Sequence, residues 1–189
     1  VSSAASDVYK RQPPHWSLPK KALEAAFSEK TKLLLLNNPL NPAAKVFDVD
    51  ELKFIASLVK RFDSYVVCDE VYEHIVFDGH KHIPLITLPG MRDHCVKIGS
   101  AGKTFSLTGW KVGYLTASEN LLRPIAKAHQ FLTFTTPPNL QSAVAFGLGL
   151  YIEYFNGLSR SLQNKRDLLA IGLRRAGFEV IYCAVTYFV

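Results

Sequence analysis

Short apolar runs alternate with longer amphipathic stretches along this chain, and the alternation predicts its architecture. Residues 33–36, four consecutive leucines, suit a strand covered on both faces, which needs no polar alternation. Residues 65–68, 95–98 and 112–116 read as three more strands. Pro19 opens a helix that runs to about Glu29, with Leu23, Ala26 and Phe27 on one face. Asp48 caps a second helix; Glu51 follows three residues on, with Leu52, Ile55, Ala56 and Val59 at helical spacing. Residues 119–134, with Pro124 in the first turns, and 139–155 read as further helices. A last helix spans about 158–175 and stops at Gly177. Residues 178–189 alternate enough to form one or two strands of a further domain. This order predicts an α/β fold: a partial, mostly parallel sheet with helices on both faces. Residues 1–12 form a tail without clear periodicity, 13–155 part of one domain, and 156–189 the start of a second.

Polar residues gather where the predicted strands end, the edge at which open α/β sheets bind ligands. Asp69 closes one such run. A carboxylate there can pair with a protonated pyridine nitrogen and keep the ring an electron acceptor; capping the next helical turn is its plainer role. Tyr72, three residues on, shares a face with Asp69 in a helical turn and can donate to a phenolate oxygen. Otherwise it is a buried anchor for the loop. Asn41 stands between Pro39 and Pro42 in a turn-rich stretch, 37–45, and its bond to Pro42 is a candidate cis peptide. Its amide can donate to the same ring oxygen, although Asn-Pro also marks ordinary turns.

The third predicted strand runs into Gly99-Ser-Ala-Gly-Lys-Thr-Phe-Ser-Leu-Thr-Gly-Trp-Lys-Val-Gly113. A lysine that forms a Schiff base must be partly desolvated or close to other cations, so that free amine exists at neutral pH. Gly102 permits close backbone approach to Lys103, and Lys111 brings the second cation. Ser100 and Lys111 suit a phosphate, one through hydroxyl and backbone donors, the other through charge. Singly, each lysine reads as a solvated surface residue; the set together is what holding pyridoxal 5'-phosphate requires. Gly102-Lys103-Thr104 also imitates a nucleotide-binding loop, but Lys97 stands where that loop needs its first glycine, and the acidic strand precedes it rather than follows. The histidines at 74, 80 and 82 lack the spacing of a metal motif and read as a surface loop, so no metal site is assigned.

Composition narrows the picture modestly. A hydrophobic fraction of 48% over 189 residues supports a packed core. The net charge of +6 is dispersed over polar helix faces without an aromatic-interleaved stripe, which argues against a nucleic-acid surface. The longest apolar stretch, 143–152, is too short to span a bilayer. No apolar leader is visible at the start of the sequence, and Cys68, Cys95 and Cys183 are scattered, which suits a reducing, cytoplasmic setting.

The lysine loop at 99–113, with Asp69-Glu-Val-Tyr72, Asp78-Gly79-His80 and Leu88-Pro-Gly-Met91, resembles the class I/II, fold-type I aminotransferases that use pyridoxal phosphate. The likeness is greatest to the kynurenine/glutamine/methionine aminotransferase group. It implies that residues 13–155 belong to a cofactor-binding large domain and 156–189 to a small one. It implies Lys103 as the internal-aldimine lysine and base, and Asp69 on the pyridine nitrogen. Asn41 and Tyr72 would lie on the ring oxygen, Ser100 and Lys111 on the phosphate. The partners implied are an amino acid and a 2-oxo acid, in a homodimer to which a segment like that at Phe134 contributes. A cysteine-S-conjugate β-lyase on the same scaffold, or a truncated, non-catalytic piece, are the alternatives. Two departures stand out: Ala43-Ala44 where the family has Thr-Gly, and Val185 where it has glycine. The family also has a region before Trp16 and a substrate-binding arginine beyond Val189.

Overall fold

A computed structural model describes residues 16–187; the 1–12 tail, Phe188 and Val189 lie outside them. Helix α1 (Lys20–Ala26) follows Pro19. It stops short of Glu29 because Ser28 and Thr31 take over the backbone: Ser28 N–H donates to Thr31 Oγ1 at 3.0 Å and Thr31 N–H to Ser28 O at 2.8 Å. Phe27 then turns into the core, while Ala26 stays exposed. Strand β1 (Leu33–Asn37) leads through a turn-rich loop to α2 (Val49–Arg61). The predicted capping box is present: Asp48 accepts from the N–H groups of Asp50 and Glu51, and Glu51 accepts from Asp48 N–H. Strands β2 (Tyr65–Asp69), β3 (Cys95–Ser100) and β4 (Gly113–Ala117) complete a sheet in the order β1-β2-β3-β4. The first three are parallel and β4 runs antiparallel to β3, so the expectation of a mostly parallel sheet holds.

Register decides which chemistry faces where. Asn37, Asp69 and Ile98 pair in one row, as do Leu36, Cys68 and Lys97 in the row before it. Side chains alternate across a strand, so Asp69 and Ser100 share one face while Cys68, Glu70 and Lys97 share the other. On that second face Leu36, Val66, Cys68 and Cys95 pack under Leu52, Ile55, Ala56 and Val59 of α2, closed by Phe47, Leu85 and Met91. Each such leucine or phenylalanine contributes roughly 1.5–3 kcal/mol by leaving water. Cys68 and Cys95 are fully buried free thiols, serving as small core hydrophobes.

The other face is covered only in part. Helices α4 (Glu119–Leu132) and α5 (Pro138–Leu148) approach it at Ile98 and Leu115, across an open cleft of about 520 Å³. Over β1 nothing among the described residues covers it: Leu33 is 51% and Leu35 75% exposed. The leucine run forms the predicted strand without the predicted two-sided cover.

Two further expectations need correction. The single helix predicted for 139–155 is α5 and the start of α6 (Ile152–Arg175), which takes in the separately predicted helix at 158. The break falls at Gly149, whose N–H closes onto Ala145 O and Phe146 O. Close packing surrounds the break: Phe105 lies where a Cβ on Gly147 would be 2.8 Å from its ring, and α6 packs Phe155 against Phe105 and His74. Gly177, at φ 87°, follows the end of α6 as expected. The 178–187 tail forms no strand. It lies along residues 75–77 through one antiparallel bridge, Val76 with Val185, and hydrogen bonds from Phe77 N–H to Ala184 O and Thr186 N–H to Ile75 O.

Candidate cofactor site

The six residues singled out from sequence all lie at the carboxyl edge of the sheet or in the loops leaving it. Asp69 ends β2 and is half-buried. Its carbonyl accepts from Asn38 N–H and Asn37 Nδ2, each at 3.1 Å, and Oδ1 accepts from Val71 N–H at 3.4 Å. The plainer capping role is thus filled by one carboxylate oxygen. Asn41 sits on a loop with cis peptides at Asn38-Pro39 and Asn41-Pro42; the second was the sequence candidate. Its N–H donates to Asn37 Oδ1 at 2.7 Å, and its Nδ2 donates to the buried Tyr72 hydroxyl at 3.5 Å. Asn41 and Tyr72 therefore converge as a pair.

Ser100 ends β3, and Lys103 lies on the single-turn helix α3 (Ala101–Thr104) that follows. Lys103 Nζ stands over the Tyr72 ring, 5.8 Å from its centroid, which joins the lysine to the Asn41–Tyr72 pair. Lys111, at φ 56°, ends the 3-10 turn Thr108–Trp110. Ser100, Gly102, Lys103, Thr108 and Lys111 line a small open cavity of about 240 Å³, with two hydroxyls and two ammonium groups around it. A Cβ on Gly102 would lie 3.1 Å from Thr108 Cα and 3.4 Å from Ser100 Oγ, so glycine lets this cradle close. Phe134 is 75% exposed and does not line this cavity.

The two departures from the family pattern are accommodated. Ala44 takes φ 53°, a conformation glycine adopts freely, and turns its methyl into the cluster around Tyr72. Val185 is fully buried at the Val76 bridge.

Sequence reasoning missed three things. Thr108 joins the cradle, and the run of hydroxyl residues Ser100, Thr104, Ser106 and Thr108 was its available signal. Tyr187 packs edge-on to Tyr72 at 5.6 Å and donates to Lys103 O at 3.1 Å; burial, then Tyr72, pushes its hydroxyl up to about 12. Only the tail's return to the sheet brings it there. The third is a correction: His82 is not a surface histidine. Its ring is buried, with Nε2 2.8 Å from Glu70 Oε2 and Nδ1 3.5 Å from Asn38 Nδ2. Glu70, Glu73 and His82 bring ligand atoms within 4.8 Å of one another, and the Lys97 ammonium already stands between the two carboxylates.

The donor set fits pyridoxal phosphate: cations and hydroxyls around an anion-sized cradle, an amine beside it, an amide–phenol pair, and a carboxylate with one oxygen uncommitted among the described contacts. Sheet and site together define a pyridoxal-phosphate-type α/β domain. The model of the family "Aminotransferase class I and II" matches residues 2–189, and the chain belongs to that family, whose members use pyridoxal 5'-phosphate. It is 45% identical over 192 residues to a kynurenine–oxoglutarate transaminase of Dictyostelium discoideum, covering all of this chain and 44% of the relative. It is 39% identical over 196 residues to kynurenine–oxoglutarate transaminase 3 of Rattus norvegicus, covering 100% and 43%. Among solved structures it matches N-succinyldiaminopimelate aminotransferase of Mycobacterium tuberculosis with a TM-score of 0.87 at 37% identity, over 90% of this chain and 44% of that one. The chain thus spans less than half the length of the curated relatives it matches.

Proposed function

We propose that the protein carrying this chain transfers an amino group between an amino acid and a 2-oxo acid, with pyridoxal phosphate bound covalently through Lys103. The observation that carries this is the meeting of Lys103, Tyr72 and Asn41 beside the cradle of Ser100, Thr108 and Lys111. The cofactor supplies the electron sink for a carbanion. Lys103 Nζ would act as the base that takes up and returns a proton at the reacting carbon. Asp69, through its uncommitted oxygen, would pair with the ring nitrogen, and Asn41 and Tyr72 would meet the phenolic oxygen. Ser100, Thr108 and Lys111 would hold the phosphate.

Kynurenine with oxoglutarate is the first pair to assay, because relatives 39–45% identical are named for that exchange. A homodimer accords with the apolar surface at Phe131, Leu132 and Phe134. The test is glutamate formation from kynurenine and oxoglutarate by the full-length protein loaded with cofactor. Removing the base in Lys103→Ala should cost on the order of 10²–10⁴ in rate. Unchanged turnover in that variant would exclude this mechanism.

A further inference from the structure

The turn that carries Asp69 and Tyr72 carries a second pair at the same spacing, Glu70 and Glu73, facing the opposite way. Glu70 N–H bonds to Ile98 O and Glu73 N–H to Glu70 O, so the turn is one continuous piece. Both carboxylates are buried, with side chains 1% and 10% exposed. Lys97, in the middle of β3, lies between them: paired with Glu73 Oε2, and 4.0 Å from Glu70 Oε2. Tyr114 of β4 donates to Glu73 Oε1 at 3.0 Å, and its ring fills the space above Gly99. His82 holds Glu70 and reaches Asn38, whose Oδ1 accepts from Phe47 N–H and whose N–H donates to Asp69 O. The cluster thus joins Lys97 of β3 and Tyr114 of β4 to the residues that directly follow β1 and β2, Asn38 and Glu70, and Lys97 and Glu70 lie on the face opposite Asp69 and Ser100.

We propose that Lys97 is a positioning residue: clamped between Glu70 and Glu73 behind the sheet, it fixes the turn whose front presents Asp69 and Tyr72 to the cofactor. This rests on the reading of those two residues as cofactor contacts. A turn with side chains alternating front and back cannot rotate one pair without displacing the other. Removing the cation deletes the link that ties Glu70 and Glu73 to β3, and the turn is then free to swing outward.

The experiment uses the full-length protein loaded with pyridoxal phosphate. Three variants are compared with the parent: Lys97→Arg, Lys97→Met, and a neutral triple variant Lys97→Met/Glu70→Gln/Glu73→Gln. The triple variant removes the buried repulsion, so loss of folding is separated from loss of position. Readouts are cofactor Kd, the pH midpoint of the visible band, and Tm. The triple variant should fold with nearly the parent Tm, bind cofactor about tenfold more weakly, as loss of an outer-shell partner does at metal sites, and shift the midpoint. Lys97→Arg should recover both within about threefold, since it keeps a cation between the carboxylates. Parental Kd and midpoint in the folded triple variant would overturn the proposal. So would failure of both Met-containing variants to fold, which would make the cluster part of the fold alone. If the parent itself yields no visible band and no reducible adduct on Lys103, the functional reading fails instead.

Discussion

Lys103 takes its candidate role from its neighbours: a phenol ring beneath it, a second ammonium across the cradle, and a glycine that lets the loop close. Asp69→Ala should therefore leave the covalent adduct intact but abolish most turnover, measured as adduct yield against glutamate formation. The same reasoning separates a second ion pair from the site. Asp78 Oδ1 and Oδ2 accept from the Arg166 guanidinium at 2.8 and 2.9 Å, tying the loop after β2 to α6. The Arg166 hydrogen bonds, supported by Tyr182, hold the Asp78 carboxyl below its usual range. A carboxyl depressed in the folded state stabilises it above the unfolded-state value, near pH 4, and that contribution is lost as pH falls through the folded value. Asp78→Asn should flatten the acid limb of an unfolding profile below about pH 4 and leave the slope near neutrality unchanged. That the six candidate residues gather at one edge of the sheet was legible in the sequence, because each follows an apolar run that forms a strand or stands in a loop beside one. Tyr187 and His82 were not, because their partners lie 84 and 12 residues away and only folding brings them together.

Elements were most legible where local chemistry and packing agree. In α2 the cap, the acidic first turn and the apolar spacing all point one way. Asp48→Ala should cost about 1 kcal/mol in denaturant unfolding. Glu51→Ala should cost more, roughly 3 kcal/mol, because Glu51 also accepts from Leu18 N–H and pairs with Lys45, which would be left buried without its carboxylate. Equal losses in the two variants would show that the Lys45 pair contributes nothing. Where periodicity misled, partners distant in sequence are involved: Phe105 packs on Gly147 near the end of α5, and the alternating tail finds backbone at 75–77 rather than a neighbouring strand. Nothing in the local pattern encodes those partners.

For the whole molecule, the two sheet faces differ in what they leave open. Leu33 and Leu35 on β1 and Phe131, Leu132 and Phe134 at the end of α4 are exposed hydrophobics in a chain that spans less than half of its relatives. Made alone, the 189-residue chain should self-associate, and Leu33→Thr/Leu35→Thr should shift its sedimentation toward monomer; a monomeric, cooperatively unfolding parent would contradict this. The central claim concerns the complete protein. Its most direct test is borohydride reduction of that protein after addition of pyridoxal phosphate, followed by peptide mapping. The account predicts a visible band that reduction abolishes and a label on Lys103, absent from Lys103→Ala although that variant still retains cofactor non-covalently. A label on another lysine, or an unchanged band in Lys103→Ala, would contradict it.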